Sequence, residues 1–325
     1  MNKQNLFISS SEKRKSDPTI KSVIIKILIL ILALFIIFWT QISPQYMFEY
    51  NGAIIDKVNR LKEIDEPKIV LVGNSNVAFG IRSELIENEF GMPVVDAGLH
   101  GGLGDEFHEN LTLYNINSGD IIIQFPHSYC AKETKMEDYP LAWITIENHT
   151  NLWKYIPKSE WYNMFLAFPT YVKKCVKLYI EGVGNLQDEG TSYTRGAFNE
   201  YGDNIYARYD TTRYIFPNDY ETPVPEIDDK YINRINRNNR VITEKGAKYF
   251  IAGCPYACNN KINYIEEFKR TTNILDEKLD CDIISDLSDY LYPYDYFYNT
   301  QYHLTEEGAV VRTNQLISDL KKYLQ

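Results

Sequence analysis

Residues 68–80 read KIVLVGNSNVAFG, and this segment passes from four consecutive apolar side chains, Ile69 to Val72, straight into a glycine and a polar turn that carries Ser75. An unbroken apolar run bounded by turn residues is the mark of a strand buried on both faces, as in a parallel sheet. A serine just past such a strand stands where the loops at the carboxyl ends of parallel strands line an open crevice, which suits a nucleophile or a ligand contact.

Four further runs repeat the pattern: PVVDAG ending at Gly98, DIIIQF ending at Phe125, KYFIAG ending at Gly253 and CDIISD ending at Asp286. Helical patterns occupy 82–89, 106–115, 228–245, 262–279 and 306–324. Strands alternating with helices predict an α/β domain with a parallel five-stranded sheet covered on both faces, a three-layer α/β/α arrangement with flavodoxin-like layering. The interval 128–226 breaks the alternation and is crowded with aromatics such as Trp143, Trp153, Trp161 and Tyr193. An insertion of this kind builds either a lid or wall over a site, with rings to stack on sugars, or a small satellite core.

The segment 23–39, VIIKILILILALFIIFW, is apolar but for Lys26, and with its flanks it approaches the roughly 20 residues that cross a bilayer. Residues 20–42 are therefore expected to form one transmembrane helix behind a basic tail, 1–19. Lys13, Arg14, Lys15 and Lys21 favour a cytoplasmic N-terminus, with the rest of the chain outside. No small-residue cleavage site follows Trp39, so the helix reads as an uncleaved anchor. Residues 43–66 read as a neck with apolar positions at helical spacing between Ile54 and Ile64, and 67–325 as the exterior domain.

The net charge of −10 speaks against a nucleic-acid partner. There is no G-x-x-x-x-G-K-[ST] loop, and GLHGGLG after the second strand lacks the dinucleotide fingerprint, so no nucleotide or other cofactor is expected. Five cysteines show no paired spacing; Cys254 and Cys258 are placed for a local disulfide or are buried thiols, and no metal site is expected.

Three blocks, the turn around Ser75, DAGLHGGLG at 96–104 and YHLTEEG at 302–308, together resemble the SGNH/GDSL hydrolase superfamily. The resemblance implies Ser75 as nucleophile, His303 as base, and an oxyanion hole from the backbone at Ser75 and Gly98. Asn76 would add a side-chain donor unless it satisfies its own backbone instead. The chain departs from the family where Asn74 replaces an aspartate, where QFPHSY follows the third strand in place of the third block, and where Asn299 precedes His303 instead of an aspartate. Asn299 would then orient the imidazole without a charge, and Asp295 is the nearest upstream carboxylate. His100 and His127 read as polar loop residues, with His100 near enough in sequence to the second block to reach the crevice.

The anchor and outward domain are similar in layout to envelope members of that family, such as the D-alanyl transfer and alginate acetylation proteins. That likeness implies a membrane-anchored esterase or O-acyltransferase acting on a cell-surface glycan or acylated polymer, working beside a membrane acyltransferase. The alternative is a catalytically weak glycan-binding or scaffold protein of an envelope complex.

Overall fold

A computed structural model describes residues 18–132, 135–147, 149–182 and 191–324. Lys13, Arg14 and Lys15 of the expected basic tail lie outside the described residues. The chain divides into two compact units, Met1–Ser43 and Pro44–Gln325.

In the first unit, α1 (Pro18–Ile37) runs into a π-helical turn, Phe38–Ile42. The apolar stretch Thr19–Ile42 is 24 residues long. At about 1.5 Å per residue it measures about 36 Å, against about 30 Å of bilayer hydrocarbon. It is long and apolar enough to cross a membrane.

The second unit begins with a segment that was expected to be a neck and is instead built into the domain. In α2 (Ile54–Glu63), Ile54, Val58 and Leu61 are buried along one face, which packs against β2 (Val94–Asp96). The Lys57 ammonium is buried with them and donates to the carbonyls of Asp96 at 2.9 Å and Gly202 at 2.6 Å. The helical spacing is legible in the sequence, whereas the surface that covers it comes from residues far along the chain.

The strands in chain order are β1 (Ile69–Gly73), β2, β3 (Ile121–Phe125), β4 (Lys248–Ile251), β5 (Tyr256–Ala257), β6 (Asp282–Ile283) and β7 (Leu291–Tyr292). Five form one sheet of order β2-β1-β3-β4-β6, every pair parallel, while β5 and β7 pair separately. β1 and β3 are buried at every position, and their register runs from Ile69 opposite Ile121 to Gly73 opposite Phe125. The order reverses between β1 and β3, and at such a switch point the carboxyl ends of the two strands splay apart to leave a crevice. Ser75 stands two residues past the end of β1.

After β1 comes the single turn α3 (Ser75–Ala78), and then α4 (Ser83–Phe90) and α5 (Asp105–Leu111) flank β2 in the sequence. The insertion holds α6 (Tyr139–Ile146) and α7 (Trp161–Glu181). There Trp143 meets Trp153 at 5.2 Å, Phe168 at 4.9 Å and Tyr171 at 5.9 Å between ring centroids, so these aromatics form a satellite core. α8 (Asp229–Glu244), α9 (Ile265–Lys278) and α10 (Glu306–Leu324) complete the unit. The Asp228 carboxylate starts α8 by accepting the Tyr231 N–H at 2.7 Å, the usual work of an acidic N-cap. Cys254 and Cys258 are buried free thiols rather than a disulfide.

Candidate active site

The nucleophile turn is shaped by its neighbours. A Cβ at Gly73 would lie 2.6 Å from Val77 Cγ2 and 2.9 Å from the Phe125 carbonyl oxygen, so only glycine lets β1 turn this tightly against the end of β3. Asn74 then caps α3, its Oδ1 accepting the Asn76 backbone N–H at 2.9 Å and the Asn76 side-chain amide at 2.6 Å. From α10 the fully buried Arg312 donates to the Asn76 carbonyl at 2.6 Å, to Asn76 Oδ1 at 3.0 Å and to the Gly253 carbonyl at 3.1 Å. One guanidinium thus joins the nucleophile turn to the end of β4. Ser75 occupies the first position of α3, where a backbone N–H has no partner within the helix.

His303 arrives on a tight loop. Phe297 and Leu304 bridge in antiparallel fashion, Tyr298 donates its N–H to the His303 carbonyl at 2.8 Å, and Thr300 Oγ1 accepts the N–H groups of Tyr302 at 3.2 Å and His303 at 3.1 Å. The imidazole lies flat on the ring of Phe79, 4.0 Å between centroids and 4° between planes. Its Nε2 is 2.9 Å from Ser75 Oγ and its Nδ1 is 2.8 Å from Asn299 Oδ1. The Asn299 amide nitrogen in turn donates to the Tyr193 hydroxyl at 3.0 Å.

This arrangement fixes the protons. An amide oxygen only accepts, so His303 Nδ1 carries the hydrogen and Nε2 presents its lone pair to the Ser75 hydroxyl. Burial pulls the His303 pKa down to about 3, and the neighbouring His100 adds to the effect. Among the described residues no anion touches the ring to oppose it, because the residue at its rear is the uncharged Asn299.

Ser75 and His303 open into a cavity of about 310 Å³, whose walls include Asn74, His100, Gly101 and Tyr193. Several expected residues prove to be occupied elsewhere. The Gly98 N–H is taken by Asp96 Oδ1 at 2.7 Å, and a Cβ there would lie 2.8 Å from the Ala78 nitrogen and 3.0 Å from the Asn74 carbonyl oxygen. Gly98 is therefore a point of close backbone approach beneath the turn, not an oxyanion donor. Asn76 is buried, and its side chain is spent on Asn74 and Arg312. Asp295 sits exposed on the turn Tyr294–Tyr296 and makes no contact with His303. His100 lines the cavity, but its Nδ1 accepts the Gly102 N–H at 3.0 Å.

Four contributors were not foreseen: Phe79, Tyr193, Arg312 and the side chain of Asn74. With Asn74 Oδ1 turned to Asn76, its Nδ2 faces Gly101, 3.7 Å from where a Cβ would stand on that glycine, and makes no hydrogen bond among the described residues. Only Asn74 carried a signal, as the residue standing where the resemblance expects aspartate. No protein-family model, no curated protein and no solved structure matches this chain.

Proposed function

We propose that the chain is a membrane-anchored serine esterase or O-acyltransferase of SGNH type, with a three-layer α/β/α domain held outside the membrane by α1 and the N-terminus in the cytoplasm. Its substrate would be an acylated or acyl-accepting cell-surface glycan or envelope polymer, and a membrane acyltransferase its partner. The reading rests on the line of contacts from Ser75 Oγ to His303 Nε2 at 2.9 Å and from His303 Nδ1 to Asn299 Oδ1 at 2.8 Å. A hydroxyl, a correctly tautomerised base and an orienting group in this order are what acyl transfer to an oxygen nucleophile requires.

In the proposed reaction Ser75 Oγ attacks an ester carbonyl as its proton passes to His303 Nε2. The developing oxyanion takes the Ser75 N–H and Asn74 Nδ2, donors without a hydrogen-bond partner among the described residues. Collapse breaks the ester C–O bond, and the His303 proton leaves with the alcohol. Water or a glycan hydroxyl then attacks acyl-Ser75, with His303 again as base. Asn299 holds the ring but lends the imidazolium no charge, so turnover is expected to be slow.

A serine-reactive fluorophosphonate tests this. The full chain in lipid nanodiscs is expected to acquire one adduct, on Ser75, and the Ser75→Ala chain none. A folded chain that resists labelling would overturn the reading. It would favour the second one, a catalytically weak glycan-binding or scaffold protein, which the uncharged Asn299 supports.

A further inference from the structure

A second cavity, of about 230 Å³, shares a wall with the one that holds Ser75. His127 and Tyr302 line both, and their rings meet edge to face at 4.8 Å between centroids. Asn76, next in the chain to the nucleophile, lines it as well. The other walls come from Ser128 and two stretches: Pro223 to Glu226 at the end of the insertion, and Cys254, Pro255 and Tyr256 after β4.

Pro223, Val224, Pro225 and Pro255 give this cavity an apolar side, and Asn76, Ser128 and Glu226 bring polar groups to it. Proline has no N–H to satisfy and little freedom to lose, so walls built from three prolines stay open without a ligand. The Cys254 thiol donates to the Pro126 carbonyl at 2.7 Å, and burial raises its pKa to about 12, so the sulfur stays protonated. The carboxylate among the lining residues belongs to Glu226, which is exposed.

We propose that this cavity is an acyl subsite of the Ser75 centre, and that the group transferred is an unbranched aliphatic acyl chain of about four to eight carbons. The proposal rests on the acyl-transfer reading above and names the class of acyl group that reading leaves open. The length follows from the volume, since a methylene takes up about as much space as a water molecule, about 30 Å³. The step itself is the ordinary one: the bond from Ser75 Oγ to the acyl carbon forms, the ester C–O bond breaks, and the proton from Oγ leaves on the alcohol by way of His303 Nε2. The alkyl tail lies between the proline walls while the alcohol portion remains in the larger cavity.

The test is a series of p-nitrophenyl esters from acetyl to dodecanoyl, with the full chain in nanodiscs and the acyl-enzyme read by intact mass. Acylation of Ser75 is expected to quicken about three- to four-fold for each added methylene, reaching about a hundred-fold by hexanoyl, and to fall again beyond about eight carbons. Val224→Trp, which puts a larger side chain on the cavity lining, should bring hexanoyl down to the acetyl rate and leave acetyl unchanged. Acylation with no dependence on chain length, or equal loss for both esters in Val224→Trp, would overturn the subsite while leaving the Ser75 reading intact. No acylation by any ester would overturn both. The chain-length series on the unaltered chain stands whether or not the variant folds.

Discussion

The two halves of the site are held by different means. The nucleophile turn is fixed by backbone geometry: a parallel register on β3, a glycine that admits close approach, the Asn74 cap and a buried guanidinium. The base is fixed by neutral side chains in series, Tyr193 to Asn299 to His303, with Phe79 beneath the ring. Where the hydroxyl sits is thus a property of the fold. The low basicity of His303 comes from its burial and from His100, with no charge from Asn299 to offset it.

Placing a charge on the base side should have the largest effect. Asn299→Asp sets a carboxylate against Nδ1, which stabilises the imidazolium and raises the His303 pKa from about 3 toward the ordinary range. Ser75 labelling at neutral pH should quicken by about 10²- to 10⁴-fold. An unchanged rate would mean that the charge at this position does not limit the centre.

Breaking the other half should cost stability first. Arg312→Met leaves the Asn76 carbonyl, Asn76 Oδ1 and the Gly253 carbonyl without their donor in a dry interior. Removal of a donor to several buried acceptors costs about 3 kcal/mol, to be read as a lower midpoint in chemical denaturation.

The pH profile separates the halves without a mutation. A base with a pKa of about 3 is already unprotonated at pH 5, so labelling of the unaltered chain should be level from pH 8 down to pH 5. A group with an ordinary histidine pKa of about 6.5 would lose most of its activity over that span. Asn299→Asp should bring such an acid limb into view.

The smallest effect is expected at the end of the series. Tyr193→Phe removes the acceptor of the Asn299 amide nitrogen, worth about 1 kcal/mol, and should slow labelling by about five-fold with no change in fold. Labelling that does not change would place the end of the series at Asn299.

The sheet was legible because strands buried on both faces have to be continuously apolar, and β1 and β3 lie where those runs stand. The order of Ser75 and His303 was legible for a related reason, since a turn after a strand and a loop before a terminal helix leave local patterns. Gly98 shows where such patterns stop. A sequence shows that a glycine is present, but whether its N–H faces a ligand or the Asp96 carboxylate depends on backbone direction. Arg312 was invisible for another reason: a cation in an amphipathic helix reads as exposed, and only the acceptors converging from α3 and β4 make its burial tolerable. Tyr193 reaches Asn299 across 106 residues, from an insertion whose aromatics gave no hint of which one faced the site.

Arg312 also has a consequence in time. It and His303 follow every strand of the sheet in chain order, whereas Ser75 comes just after the first. During synthesis Ser75 emerges long before His303 and Arg312, and the nascent domain holds its hydroxyl without either of them. Docking of α10 and of the loop before it is therefore the step that brings His303 and Arg312 onto the Ser75 turn.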